Sequence, residues 1–273
     1  MIDSHHHLWN YTTEEFGWIE KDVIRQSFLA QELDSLLQEN QVTGAVAVQA
    51  RTCLDENDFL LAEAAVSQTI KGVVGWVDLK SANVGAQIDH YRSNPLFKGV
   101  REITQGAADV DFFSNPAFNQ GICEVTARDL TYDVLIFQDQ IKAATKFIDQ
   151  HPNQRFVLDH AAKPEILAEE FPDAWQKGIQ AMAERDNLVC KISGLVTEVR
   201  DASWDASLME RYFDSLLESF GPQRLMFGSD WPVCLLASDY ARWKDCVEQY
   251  VAKLSNSEQH AILSETATKY YAL

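Results

Sequence analysis

Three consecutive histidines follow the first apolar residues of the chain, which begins MIDSHHHLW. Because side chains alternate between the two faces of a strand, His5 and His7 are predicted to face one way and His6 the other. Two imidazoles on one face can bind a metal ion or polarise a substrate. A purification tag or a surface turn are the alternatives, but three histidines are few for a tag and they run directly into Leu8 and Trp9.

Other polar side chains stand where later apolar runs of the sequence end. If those runs are strands of a parallel barrel, their carboxyl ends share one rim with the histidines. The first and last strands of a closed barrel are neighbours, so a carboxylate from the last strand is expected beside His5 and His7. Three imidazoles and a carboxylate can bind a metal, or can act as a general base with electrophilic helpers. The run-end candidates are Gln49, Asp78, Arg101, His160 and Asp230.

Several of these candidates also have a purely structural interpretation. His160 could bond a loop carbonyl, Asp230 could cap the following segment, and Arg101 could pair with Glu102. The nearby first-strand histidines favour a functional role for His160. Gly228 is expected to leave room for a ligand on the face of Asp230, which favours function there.

The positions of these residues depend on eight short apolar runs, each followed by a stretch of helical periodicity. Near-continuous apolar runs are typical of strands buried on both faces of a parallel sheet. Eight strand–helix units without a break predict an α/β fold, a single-domain (β/α)8 TIM barrel over residues 1–273. The predicted strands are 1–5, 42–49, 73–78, 97–101, 132–137, 155–160, 188–193 and 224–230.

Helix and loop signals fall between these runs. An apolar stripe predicts a helix over 141–148. Pro164 is expected in the first turn of the helix after the sixth strand. Ser255 and Glu258 have the spacing of a capping box for a terminal helix. Residues 8–27 are expected to form a long loop on the active-site rim.

Composition argues against several kinds of partner. The chain carries 41 acidic and 23 basic side chains, a formal charge of −18. A nucleic-acid groove needs clustered Lys and Arg, so neither nucleic acid nor an anionic membrane is expected to bind. Five scattered cysteines without C-x-x-C spacing predict free thiols in a reducing compartment. No signal peptide or membrane span is evident, so a cytoplasmic protein is expected.

Six sequence blocks occur in a recognisable order. They are IDSHHHLW (2–9), VQA (48–50), GVR (99–101), VLDHAAKP (157–164), CKISGLVTE (190–198) and MFGSDWP (226–232). With these blocks the chain resembles, over essentially its whole length, the amidohydrolase-2 group of the amidohydrolase superfamily. Within that group it is similar to the sugar-lactonase branch. That branch holds L-fuconolactonase-like and L-rhamnonolactonase-like enzymes and is related to 2-pyrone-4,6-dicarboxylate lactonase.

The resemblance implies a barrel that hydrolyses a cyclic ester, with His5, His7, His160 and Asp230 as the catalytic core. The same four residues would bind one divalent metal, with Zn²⁺ preferred, although a metal-independent site is the alternative. The substrate-binding candidates are Arg51, Arg101, Lys191 and Trp231, of which Trp231 is equally suited to be a buried wall residue.

Two positions depart from the family's pattern. Glu102 stands where a histidine is usual, and the residues at 51–53 after Gln49-Ala50 differ from the family habit. Both positions are expected to face substrate, so the particular sugar is left open. The superfamily's usual second metal-binding histidine has no counterpart at 191–193, so a binuclear site is not expected.

The predicted reaction opens a sugar-derived lactone to the sugar acid. Asp230 takes a proton from water and returns it to the leaving alkoxide, while the histidines, with or without a metal, polarise the carbonyl. The alternatives are a metal-dependent decarboxylase of a small carboxylic acid and a non-catalytic sugar-binding barrel. No oligomeric state is predicted.

Overall fold

The computed structural model describes residues 1–107, 112–200 and 203–273. Over these residues eight parallel strands pair in chain order, and each is followed along the chain by a helix. The predicted (β/α)8 TIM barrel is therefore confirmed. The strands are β1 (Ile2–His6), β2 (Gly44–Val48), β3 (Ile70–Gly75), β4 (Phe97–Ile103), β5 (Thr131–Leu135), β6 (Arg155–Leu158), β7 (Leu188–Ile192) and β8 (Leu225–Phe227).

The helices cover the outside of the barrel, and the last two continue the chain beyond the eighth unit. A π-helical segment, Ala261–Glu265, joins those last two helices. The helices are α1 (Ala30–Glu39), α2 (Leu54–Val66), α3 (Val84–Arg92), α4 (Pro116–Ala127), α5 (Ile141–Gln150), α6 (Asp173–Ala183), α7 (Ala206–Phe220), α8 (Tyr240–Val251), α9 (Asn256–His260) and α10 (Thr266–Tyr271).

Helix α5 and the cap of α9 follow the sequence signals. Ile141, Ala144 and Phe147 of α5 are buried against the core. Ser255 Oγ accepts a hydrogen bond from the Glu258 backbone N–H, while the Glu258 carboxylate accepts from the Ser255 N–H at 2.9 Å. Both predictions are confirmed. None of the helices in the described ranges is long and apolar enough to cross a bilayer.

The third strand lies earlier in the sequence than predicted. It ends at Gly75 because the side chain of Asn57, on α2, forms hydrogen bonds with both backbone polar groups of the next residue. Asn57 Oδ1 accepts from Trp76 N at 2.7 Å, and Asn57 Nδ2 donates to Trp76 O at 2.6 Å. Asp78 is consequently exposed, beyond the strand. The prediction that Asp78 ends a barrel strand is wrong.

The helix start predicted at Pro164 is also wrong, because α6 begins only at Asp173. His160, Ala161, Ala162 and Lys163 all have positive φ, between 46° and 58°. A residue before proline is disfavoured in the right-handed α region, and here the chain makes a left-handed turn instead. Left-handed backbone costs about 1–2 kcal/mol per non-glycine residue, so the surrounding packing must hold this turn.

The first and last strands meet through backbone hydrogen bonds at their carboxyl ends. Asp230 N donates to His5 O at 2.8 Å, and His7 N donates to Trp231 O at 2.7 Å. The buried carboxylate of Asp3 reinforces this seam, accepting from Ser229 N at 2.8 Å. The seam brings the first-strand histidines beside Asp230.

Residues 8–27 form the predicted long loop, with one short 3-10 turn at Asp22–Ile24. Reciprocal backbone hydrogen bonds between Trp9 and Phe28, at 3.0 and 2.9 Å, tie the ends of the loop together. Trp9 and Phe16 are buried beneath the loop. This loop therefore forms one wall of the barrel mouth.

His6 points away from the neighbouring histidines and is fully buried. Neither of its ring nitrogens has a hydrogen-bond partner among the described residues. Burial, with a smaller contribution from His7, lowers the pKa of His6 to about 3 from a usual value of 6.5. Below pH 6.5 the unfolded chain therefore binds this proton and the folded chain does not, so stability falls as the pH drops.

We expect His6→Leu to gain stability over the parent as the medium becomes more acidic. From pH 7 to pH 5 its advantage in free energy of unfolding should grow by about 2 kcal/mol, because leucine has no proton to bind in the unfolded state. Urea unfolding curves at several pH values measure this, with the exposed His90→Leu as the control. An advantage that does not change with pH would contradict the prediction.

Candidate active site

A cavity of about 360 Å³ opens at the carboxyl ends of the strands. Its lining combines polar and apolar side chains, as is usual for a cavity that binds a small molecule. The polar lining residues are His7, Arg101, Gln105, His160, Lys163 and Asp230, and the apolar ones are Trp9, Trp18, Ala50, Ile103, Leu135 and Val233.

The four residues predicted as the catalytic core converge at the base of this cavity. His7 Nε2 lies 3.2 Å from His5 Nε2 and 3.4 Å from Asp230 Oδ1. His5 Nε2 and His160 Nε2 lie 3.8 and 3.9 Å from the same carboxylate oxygen. All four side chains are buried. The barrel seam supplies three of them and the left-handed turn after β6 supplies the fourth.

Backbone partners orient two of the imidazoles toward Asp230. His7 Nδ1 lies 2.8 Å from the Val48 carbonyl oxygen, which can only accept, so Nδ1 carries the hydrogen. His160 Nδ1 lies 2.8 Å from Ser193 Oγ. In both rings this leaves Nε2 facing the carboxylate, the arrangement that outer partners impose on catalytic and metal-binding histidines.

The charge state of the cluster follows from its burial. Burial lowers the pKa of His160 to about 4, even though Asp230 opposes this. For Asp230, burial alone would raise the pKa, but His160 and the hydrogen bond from His7 outweigh it and hold the pKa below its usual value. Near neutral pH the site therefore presents an ionised Asp230 carboxylate beside a neutral His160 imidazole.

These donor atoms also fit a divalent metal. One ligand atom each from His5, His160 and Asp230 lies within 4.8 Å of the other two. Ligands of a tetrahedral zinc, with bonds of about 2.0–2.1 Å, sit about 3.4 Å apart, close to the spacings in this cluster. Small adjustments of the rings would therefore bring His5, His160 and Asp230 around one ion, with His7 beside them.

Of the four predicted substrate-binding residues, only Arg101 lines the cavity. Its Nη1 donates to Asp159 Oδ2 at 2.9 Å, and its Nη2 donates to Gln49 Oε1 at 3.0 Å and to the Gln49 carbonyl. The guanidinium is therefore fixed in place before any substrate arrives.

The other three lie outside the cavity lining. Arg51 stands on the rim, where it pairs with Glu15 and with Glu56 Oε2, the latter at 2.7 Å. Lys191 is fully buried beneath the cluster. Trp231 is buried with its ring 5.1 Å from that of Phe28, as the alternative of a wall residue anticipated.

Two further expectations about this region are corrected by the packing. A Cβ on Gly228 would lie 2.9 Å from the Cβ of His5 and 3.0 Å from that of Ser193. The glycine therefore makes room for neighbouring strands and not for a ligand. Glu102 points away from the cavity and accepts from Trp76 Nε1 at 2.8 Å, so it does not face substrate.

Lys163 and Gln105 line the cavity but were not singled out from the sequence. Lys163 follows His160 in the left-handed turn, and its ammonium lies 3.6 Å from Glu198 Oε1. A run of left-handed non-glycine residues has no recognised sequence signal. The block VLDHAAKP (157–164), which contains this lysine, was the one available hint.

A parallel barrel with a carboxylate and several imidazoles at the carboxyl ends of its strands is the architecture of a barrel enzyme that uses acid–base or metal-assisted chemistry. The model of the amidohydrolase family matches residues 2–273. The chain belongs to the amidohydrolase family.

Two curated relatives cover the whole chain. An L-fucono-1,5-lactonase of Burkholderia multivorans is 38% identical, with 100% of this chain and 96% of the relative aligned. An L-fucono-1,5-lactonase of Burkholderia ambifaria is 34% identical, over 100% and 95%. A crystal structure of an amidohydrolase from Burkholderia multivorans with bound zinc superposes with a TM-score of 0.94 at 37% identity, covering 100% of this chain and 99% of that one.

Proposed function

We propose that this chain hydrolyses a sugar-derived lactone to the open sugar acid. Full-length similarity to two lactonases supports the reaction class. The observation that carries the proposal is the ionised Asp230 carboxylate, placed among three imidazoles at the base of a cavity large enough for a sugar ring. A base in that state can accept a proton from water as the water attacks the lactone carbonyl.

The proposed reaction forms one C–O bond and breaks another. Asp230 takes the proton of the attacking water, and the tetrahedral intermediate carries a negative oxygen. The positive charge of Arg101, held in place by Asp159 and Gln49, stabilises that oxygen. As the ring C–O bond breaks, Asp230 returns its proton to the departing alkoxide, which becomes a hydroxyl of the sugar acid.

The cavity walls suggest how the ring is held. Lys163 supplies a cationic donor, and Gln105 Oε1, which has no hydrogen-bond partner among the described residues, supplies an acceptor for a ring hydroxyl. Trp18 and Leu135 are apolar residues of the lining and can pack against the C–H face of a sugar.

We also propose that His5, His160 and Asp230, with His7 adjacent, hold one divalent metal, and that this metal is Zn²⁺. Nitrogen and oxygen donors at these spacings suit zinc, and zinc is bound in the related crystal structure. When bound, such an ion supplies Lewis-acid chemistry that polarises the lactone carbonyl.

A panel of aldono-1,4- and aldono-1,5-lactones in a pH-indicator assay tests the reaction. Lactone opening releases acid, so at least one member should give catalytic acid release that Asp230→Asn abolishes. Metal analysis of the purified protein, and repetition of the assay with a chelator, test the zinc proposal separately.

Two other results would favour a different function. Release of CO2 from a small carboxylic acid would favour the decarboxylase, and saturable lactone binding without turnover would favour the sugar-binding barrel.

Lys163→Met is expected to raise KM for the lactone about tenfold and to leave kcat within about threefold. The Lys163 ammonium donates a charged hydrogen bond to a ring hydroxyl in the ground state and in the transition state. Removing the ammonium therefore weakens the binding of both states equally. Steady-state kinetics measures the split, with the exposed Lys177→Met on α6 as the matched control. A large fall in kcat at constant KM would assign Lys163 a different role.

A further inference from the structure

The cavity lining contains two strongly basic side chains, Arg101 and Lys163, and a carboxylate outside the lining neighbours each of them. Arg101 Nη1 donates to Asp159 Oδ2 at 2.9 Å, and Lys163 Nζ lies 3.6 Å from Glu198 Oε1. Asp159 is fully buried, and Glu198 is only 5% exposed. Among the described residues, no lysine or arginine of the lining therefore presents a positive charge without a negative one beside it.

The backbone holds Glu198 beside Lys163. Glu198 lies after β7, at the end of the short 3-10 helix Leu195–Glu198. Two backbone hydrogen bonds join this loop to the loop after β6: Ile166 N donates to Glu198 O at 3.1 Å, and Arg200 N donates to Ile166 O at 3.0 Å. The loop that carries Glu198 is therefore tied to the loop that carries Lys163, and the two side chains meet as a consequence.

Glu198 has a second partner, Arg200, whose Nη2 donates to Glu198 Oε2 at 2.6 Å. The side chain of Arg200 is 50% exposed, and ion pairs with an exposed partner contribute little because water screens them. That contact alone offsets little of the cost of removing the Glu198 carboxylate from water. The burial of Glu198 therefore invites a functional explanation, and its other oxygen, Oε1, is the one near Lys163.

The separation of the two groups matters for what Lys163 can bind. At 3.6 Å the Glu198 carboxylate balances the ammonium charge but is beyond hydrogen-bond distance, so the N–H donors of Lys163 stay available to a ligand. A hydroxyl group of the ligand can accept from them. A carboxylate or phosphate at the same point is attracted by the ammonium and also repelled by the carboxylate beside it.

We propose that Glu198 is a specificity-determining residue that excludes lactones carrying an anionic substituent, so that the substrate class is the uncharged polyhydroxy lactones. Glu198 does not line the cavity, so it acts through the charge of Lys163. Selectivity of this kind comes from the group that is repelled as well as from the group that is attracted. The kinetic consequence rests on the proposed lactonase function, whereas the effect on binding does not.

Calorimetric titration of the full chain with sugar acids tests the proposal without turnover. An aldarate differs from the matching aldonate by a second carboxylate, so the ratio of their two dissociation constants isolates the effect of that charge. Glucarate with gluconate, and galactarate with galactonate, are suitable pairs. Glu198→Gln keeps the size of the side chain and an acceptor for Arg200 but removes the charge. We expect it to favour the aldarate over the aldonate about tenfold more than the parent does.

Two further variants separate the pairing with Lys163 from a general loss of negative charge. Glu165→Gln removes an exposed carboxylate from the loop after β6 and should leave the ratio at the parent's value. Lys163→Met/Glu198→Gln should also return the ratio to near that value, because the unpaired ammonium is gone. An unchanged ratio in folded Glu198→Gln, or an equal gain in either of these variants, would overturn the proposal. If Glu198→Gln does not fold, Lys163→Met supplies the opposite change: it leaves Glu198 unpaired, and a ratio that does not fall would overturn the proposal.

The same comparison can be made with substrates in the pH-indicator assay. For each aldonolactone that the parent hydrolyses, the aldarolactone of the same configuration carries one additional carboxylate. We expect the parent to discriminate against the aldarolactone, and kcat/KM for the aldarolactone relative to its neutral counterpart to rise about tenfold in Glu198→Gln. A parent that hydrolyses both equally well would contradict the exclusion. Inactivity of the parent on every lactone would defeat the proposed function while leaving the calorimetric result interpretable.

Discussion

Asp230→Asn is expected to lower kcat for lactone opening by about a thousandfold, or about 4 kcal/mol of transition-state stabilisation. Asparagine keeps the size and shape of the side chain but cannot take a proton from water. The substitution should be tolerated by the fold, because the structural hydrogen bonds at this position, to His5 O and from Cys234 N, use backbone atoms. Asparagine also accepts the left-handed backbone found at residue 230 better than most residues do.

The control for this variant is Asp78→Asn, which removes an exposed carboxylate that also lies near the end of an apolar run. It should retain the parent's kcat. Thermal unfolding of both variants shows whether the fold is intact. Near-normal turnover by folded Asp230→Asn would reject the assignment of the base and, with it, the central step of the proposed reaction.

Arg101→Lys is expected to lower kcat about a hundredfold while KM changes little. The guanidinium is held by Asp159 and Gln49 in a fixed orientation, and lysine keeps the charge but not the planar set of donors. A positive charge that is already fixed in place contributes most where negative charge develops, which is in the transition state. Lysine is preferred to alanine here because it leaves Asp159 with a cationic neighbour in its buried surroundings.

Arg51→Lys makes the same chemical change on the rim, where the arginine pairs with Glu15 and Glu56 outside the cavity lining. Its kinetics should stay close to those of the parent. A rise in KM at constant kcat for Arg101→Lys would show that the guanidinium binds substrate without stabilising the transition state. Equal losses of kcat in Arg101→Lys and Arg51→Lys would show that the effect does not depend on the location of the arginine in the cavity.

Most of the barrel could be predicted from the sequence because most of its strands are short apolar runs that are buried on both faces. The prediction failed where side chains replace the usual partners of the backbone. Asn57 ends β3 by taking the hydrogen bonds of Trp76, and no local pattern near Asp78 reports this. A proline can stand in the first turn of a helix or directly after a left-handed turn. The sequence around Pro164 does not decide between the two, because tertiary packing does.

The residues of the candidate site also fall into those that the sequence predicts and those that it does not. Strand alternation places His5 and His7 on one face, and barrel closure places Asp230 beside them. Lys163, in contrast, reaches the cavity only because of the left-handed turn after β6. Its role could not be recognised without knowing which residues adopt that turn.

The seam between β1 and β8 has a consequence for biosynthesis. His5 is synthesised before the other seven strands of the barrel, whereas Asp230 follows the last of the eight strands. A nascent chain therefore carries half of the cluster for most of its synthesis without being able to assemble it. Catalytic competence should appear in a single late step, when the eighth strand docks, and fragments that stop before it should be inert.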